Sequence, residues 1–130
     1  MKRLVILALL AWFSALGAAR ADVELRWLGV AGFTLRAGDT VIAHDPYLSR
    51  PGLLATLFRS MEPDAAVLDR MLGPASPAPE LAHASLLLVG HSHYDHLADV
   101  PEIARRTGAQ VLGSASTVNI AQGYGLPKDR

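Results

Sequence analysis

One short stretch constrains this chain more than any other. His91-Ser92-His93-Tyr94-Asp95-His96 carries three of the five histidines and an aspartate, directly after the apolar run from Ala84 to Val89. That run is interrupted only by Ser85, which suits a strand buried on both faces better than a half-exposed one. A loop leaving a rigid strand can turn side chains inward at i and i+2, without the helical spacing of His-Glu-x-x-His sites. Imidazole and carboxylate are the ligands expected for zinc and are acceptable to iron or manganese. The chain has no cysteine, so thiolate ligands, disulfides and a lipid anchor on an acylated cysteine are all excluded. A lone histidine here reads as a solvated loop residue, whereas three with an acid at this spacing read as a metal site.

The flanking sequence indicates what carries the loop. Val23 to Leu28, Phe33 to Arg36 and Thr40 to Ala43 alternate or are rich in strand formers, and Gly29, Gly32 and Gly38-Asp39 punctuate them. An antiparallel meander from Val23 to about His44 is expected. Leu53, Leu54, Leu57 and Phe58 recur at helical spacing, and Ala65 to Leu72 forms a second short helix begun by Pro63-Asp64. Gly73 to Glu80 holds three prolines and is expected as a surface loop. Beyond the His-rich loop, Asp99 and Glu102 resemble a capping box, with Pro101 in the first turn of a helix that Gly108 ends. Gln110 to Leu112 then reads as a strand, and Ser114 or Ser116 as the cap of a last helix towards Gly123. This order of elements predicts an α/β layered fold.

Residues 1–21 have the pattern of an export signal: Lys2 and Arg3, an apolar stretch from Leu4 to Ala19, and small residues in Ala19-Arg20-Ala21. The apolar stretch is shorter than the ~20 residues of a bilayer-spanning helix, so cleavage after Ala21 is expected rather than a membrane anchor. The location is then periplasmic or secreted. Cleavage removes Lys2, Arg3 and Arg20 and leaves nine basic against twelve acidic residues, a formal charge of −3. Such a chain has no electrostatic footprint for nucleic acid.

His-x-His-x-Asp-His is similar to the signature of the metallo-β-lactamase superfamily. Trp27-Leu28-Gly29-Val30-Ala31-Gly32-Phe33 and Asp45-Pro46-Tyr47-Leu48-Ser49 further resemble the branch containing ascorbate-6-phosphate lactonase-like and N-acylphosphatidylethanolamine phospholipase D-like proteins. The resemblance runs from about Val23 to Pro127. It implies the N-terminal half of an αββα sandwich with two divalent metal ions, zinc foremost, between the sheets. By the same resemblance His91 and His93 bind the first metal, Asp95 and His96 bind the second, and Asp95 orients the metal-bound hydroxide. Asp45 is implied as a supporting residue behind the ligands; as a bare sequence feature it is equally a turn residue before Pro46. His44 and His83 lie outside the ligand pattern and are expected to be structural or exposed.

The implied activity is metal-dependent hydrolysis of an ester, lactone, amide or phosphodiester bond in a small-molecule or lipid-like substrate. Residues 52–80 are the expected contributors to substrate choice, as a loop-rich insertion near the site mouth. Complete members of the superfamily bring a further histidine, a bridging aspartate and a last histidine after the loop. Here no histidine follows His96, and the later aspartates are Asp99 and Asp129. A partial domain over residues 22–130 is therefore expected. The alternative is a metal-binding fragment or periplasmic binding module without turnover.

Overall fold

The computed structural model describes residues 22–58 and 62–130. The expected signal, residues 1–21, lies outside the described residues. Among these, β1 (Val23–Gly29), β2 (Gly32–Ala37), β3 (Thr40–His44), β4 (Leu86–Leu88) and β5 (Gln110–Leu112) form one sheet in that order. The first three strands are the expected antiparallel meander, and β4 and β5 then add in parallel. The connections carry α1 (Leu53–Phe58), α2 (Ala65–Leu72), a 3-10 helix (Pro79–His83), α3 (Tyr94–Leu97) and α4 (Val100–Thr107), and α5 (Ala115–Gly123) follows β5. The fold is α/β, as the order of patterns predicts. No helix among the described residues is long and apolar enough to cross a membrane.

The two faces of the sheet differ sharply. Register places Arg26, Thr34, Ala43, Leu87 and Val111 in one row, and Trp27, Phe33, His44, Leu88 and Leu112 in the next. Because successive side chains point to opposite faces, the rows belong to opposite sides. The first face is roofed by the helices: Thr34, Ala43 and Leu87 are buried, and they join Leu68, Leu81, Val100 and Ile103 in the core. On the second face Leu25, Trp27 and Leu112 stand 60–71% exposed. Leu86 and Leu88 on β4 are only partly covered for the same reason, so the strand expected to be buried on both faces is buried on one.

Two other expectations need correction. The stretch read as a surface loop, Gly73 to Glu80, dips inward at its end, where Ala78, Glu80 and Leu81 are buried at the start of the 3-10 helix. Glu80 Oε1 accepts hydrogen bonds of 2.7 Å from both Arg26 Nε and Thr34 Oγ1, which is why an acid tolerates this position. In α1 the apolar spacing does form a helix, but Leu54, Leu57 and Phe58 face solvent.

Burial alone pushes the Glu80 carboxyl up, but hydrogen bonds from Thr34, its own backbone and Arg26 outweigh it, and the net position is below the ordinary 4.5. A carboxyl depressed in the folded state contributes stability that is complete above its unfolded pKa and disappears as pH falls through the folded value. Urea unfolding of the chain should therefore weaken more steeply between about pH 5 and 3 than that of Glu80→Gln. Parallel curves for the two proteins would contradict this role of Glu80.

Candidate metal centre

The parallel half of the sheet builds the site. In open α/β sheets ligands collect beyond the carboxyl ends of the strands, where successive loops converge. Here β3 ends into Asp45, β4 into Gly90 and the His-rich loop, and β5 into Gly113-Ser114. The His44–Leu88 register and the Asp45 N–H bond to the Leu88 carbonyl, 2.9 Å, set Asp45 beside Gly90.

Asp45 is buried at 2% exposure and has φ +43, a left-handed conformation that aspartate accepts more readily than most residues. Its Oδ1 accepts the Gly90 N–H at 2.8 Å, and its Oδ2 meets His96 Nδ1 at 2.6 Å. A side chain at Gly90 would intrude on this bond, since its Cβ would stand 3.1 Å from Asp45 Oδ2. A carboxylate oxygen accepts, so this bond is made by a proton on His96 Nδ1, and Nε2, 3.7 Å from Asp95 Oδ2, is the nitrogen left with a lone pair. This is the arrangement by which a carboxylate fixes the tautomer of a metal-binding histidine.

The loop itself closes into the single turn α3, held by hydrogen bonds from the His96 and Leu97 amides to the His93 carbonyl. His91, Asp95 and His96 bring one ligand atom each to within 4.8 Å of one another. His96 Nε2 lies 3.7 Å from Asp95 Oδ2, and the His91 and His96 rings are tilted with centroids 3.8 Å apart. His93 is not a member of this triplet. Its Nδ1 faces His91 Nε2 at 3.1 Å, close to the ~3.3 Å edge of a tetrahedron with metal–nitrogen bonds of about 2.0–2.1 Å. The donor set is thus chemically fit for zinc or another borderline divalent ion, with three expected ligands converging and the fourth touching them through His91.

Several neighbours were less visible in the sequence. Ser92 Oγ forms a hydroxyl triangle with Ser114 Oγ and Thr117 Oγ1, with sides of 3.0, 3.1 and 3.2 Å. It fastens the middle of the His-rich loop to the start of α5, where Ser114, of the two candidate caps, accepts from the Thr117 N–H. Nothing in sequence spacing links Ser92 to these residues. Tyr47 packs edge-on against Tyr94 with centroids 6.1 Å apart. Burial, followed by the negative charge of Asp99, pushes its hydroxyl above the usual tyrosine value, so it remains a neutral group at physiological pH. His44 stacks on Phe33 at 4.7 Å, and its buried Nδ1, although 3.3 Å from Asp45 Oδ2, makes no aligned hydrogen bond. His83 lies on the 3-10 helix, facing solvent.

Asp99 departs most from expectation. It stands at the start of α4, but its side chain caps nothing there, and Glu102 pairs with Arg105 and Arg106 instead of closing a capping box. Gly108 does end α4, at φ +81 in the left-handed region where glycine is unstrained. The Asp99 carboxylate, fully buried, instead accepts from the Leu48 and Ser49 amides at 2.5 and 2.7 Å and from the Ser49 hydroxyl at 2.5 Å.

An α/β sheet with imidazoles and a carboxylate gathered beyond its parallel strand ends defines a candidate metal-site protein. The chain is 34% identical over 114 residues to a UPF0173 metal-dependent hydrolase of Anaeromyxobacter dehalogenans, a match covering 87% of this chain and 35% of the relative. A second such hydrolase, from Myxococcus xanthus, is 35% identical over 85% of this chain and 32% of its own length. One from Pyrobaculum arsenaticum is 28% identical over 82% and 39% respectively. A solved metallo hydrolase from Ignicoccus hospitalis superposes with a TM-score of 0.48 at 24% identity, covering 80% of this chain and 37% of that one. No protein-family model matches. Over most of its own length the chain is thus similar to proteins named UPF0173 metal-dependent hydrolases, and its His-x-His-x-Asp-His loop lies within the matched stretch. The chain spans about a third of the length of the curated relatives it matches.

Proposed function

We propose that this chain contributes the His-rich half of the metal site of a metal-dependent hydrolase acting on an ester, lactone or phosphodiester bond. The observation that carries this reading is the convergence of His91, Asp95 and His96, with His96 Nδ1 bonded to the buried carboxylate of Asp45. His91 and His93 would hold one divalent ion, zinc foremost, and Asp95 and His96 a second. The chemistry such ions supply when bound is Lewis acidity and acidification of water, whose pKa falls from far above the physiological range towards ~7. The chain's own contribution is placement: Asp45 presents the Nε2 lone pair of His96, and the half-buried Asp95 offers an acceptor 3.7 Å from it that can orient an incoming water. Relatives named metal-dependent hydrolases support the hydrolytic reading. The residues 1–21 pattern supports export, and an acidic chain after cleavage supports a small-molecule or lipid-like substrate over nucleic acid.

The test is hydrolysis of chromogenic esters and of a bis(aryl)phosphodiester by the purified zinc-loaded full-length protein, with and without chelator. Turnover that chelator abolishes, and that His96→Ala lowers by more than about 100-fold together with zinc uptake, is the expected result. A second reading, a metal-binding module without turnover, is favoured by a single observation: only three ligand residues converge among the described residues. Stoichiometric zinc with no hydrolysis of any of these substrates would select it.

A further inference from the structure

We propose that Asp99 is a positioning residue for the metal centre, locking the segment that carries Asp45 so that Asp45 holds His96 in register; this rests on the metal-site reading above. Two chain segments, residues 45–49 and 96–99, face each other, and each gives the other one buried aspartate. Asp45 crosses to His96 at 2.6 Å, and Asp99 crosses back to Leu48 and Ser49. Both carboxylates are 2% exposed or less, and both accept more than one hydrogen bond. In a dry environment such bonds are short and strong, and losing the acceptor strands every donor aimed at it.

Packing of the buried Pro46, Tyr47 and Leu48 side chains holds the segment that Asp99 grips, and Asp99 adds the acceptor that fixes its Leu48 and Ser49 amides. Between Asp45 and Ser49 the chain has no regular secondary structure, and Asp45 itself sits at a left-handed φ. The Asp45 carbonyl accepts the Tyr47 N–H at 2.7 Å, making a tight local turn. Ser49 passes the tie onward, because its Oγ both donates to Asp99 Oδ1 and accepts the Asp64 N–H, at 2.5 and 2.7 Å. Release of Asp99 would therefore free the backbone immediately after Asp45, and the angular freedom gained there is transmitted to the carboxylate that fixes the His96 tautomer. A helix cap at this position would have had no such reach; the carboxylate acts across the fold instead.

The experiment compares Asp99→Ala and Asp99→Asn with the unmodified chain by proton–nitrogen NMR of the His96 ring without metal, and by zinc titration against a chromophoric chelator. The unmodified chain should show one tautomer with the proton on Nδ1. Asp99→Ala should show a mixture of tautomers and zinc binding weakened about 10-fold or more, in the range known for residues supporting metal ligands. Asp99→Asn keeps a carbonyl acceptor for the two amides and should restore the single tautomer, with affinity within about threefold. Glu80→Ala, which removes a different buried carboxylate, serves as the stability control and should leave the His96 ring unchanged.

A single Nδ1–H tautomer in folded Asp99→Ala would overturn the proposal, as would an equal disturbance by Glu80→Ala. Should Asp99→Ala fail to fold, Ser49→Ala, which removes only the hydroxyl leg, should shift the ring in the same direction by a smaller amount; no shift would overturn it. If the unmodified chain takes up no zinc, the metal-site reading fails, while the tautomer comparison still decides whether Asp99 positions His96.

Discussion

Asp45→Ala is expected to weaken zinc binding about 10- to 100-fold while leaving His91, Asp95 and His96 all present. The reason is the geometry behind the ligands. Asp45 Oδ2 accepts the hydrogen bond from the Nδ1–H of His96, so without it the ring is free to rotate and to move its proton to Nε2, the nitrogen that must stay unprotonated to bind a metal. The same substitution removes the acceptor of the Gly90 N–H and places alanine at φ +43, which adds about 1–2 kcal/mol of backbone strain. Asp45→Asn separates the two effects. Asparagine tolerates the left-handed backbone, but its one carbonyl oxygen cannot serve both Gly90 and His96, so it should recover most of the stability and only part of the affinity. Calorimetric zinc titration, paired with urea unfolding, reads both. Equal zinc affinity in Asp45→Ala and the unmodified chain would mean that His96 is oriented by something other than this carboxylate.

Leu87→Ala and Leu25→Ala should differ by several kcal/mol although both remove the same atoms from the same sheet. Leu87 is fully buried on the face roofed by the helices, where truncation leaves a cavity, and a loss of about 2–5 kcal/mol is expected. Leu25 is 65% exposed on the opposite face, where the change should stay within about 0.5 kcal/mol. Since small domains are marginally stable, the first substitution threatens the folded state and the second does not. Guanidinium unfolding followed by circular dichroism gives both values, and similar losses would show that the outer face is covered in solution. In the two-sheet sandwich implied by the resemblance, that face would meet a second sheet.

Legibility in the sequence followed the range of the interaction concerned. The hairpins of β1 to β3, the helix that Gly108 ends and the strand Gln110–Leu112 are dictated by neighbours within a few positions and are where the pattern put them, and the last helix takes Ser114, one of the two caps the pattern offered. The clustering of His91, His93, Asp95 and His96 was equally visible, because metal-ligand chemistry shows in residue type and spacing alone. Asp99 was misread for the opposite reason. Its local context, with Glu102 three positions on, is that of a capping box, yet its actual partners are Leu48 and Ser49, some fifty positions earlier. Ser92 and Thr117 escaped notice on the same ground. Asp45 stood between two readings until the parallel pairing of β3 with β4 brought it beside Gly90 and His96.

The sequence by itself determined the alternation that makes the strands, the turns that separate them, and the presence of a divalent-metal donor set on a loop. These depend on side-chain chemistry and on contacts no further than a helical turn or a hairpin. Only the tertiary structure decided which sheet face is roofed, that His91, Asp95 and His96 converge with His93 set to one side, and that Asp45 and Asp99 tie two distant segments together. Those outcomes depend on strand order and register, which bring residues about fifty positions apart into hydrogen-bonding distance and which no local pattern encodes.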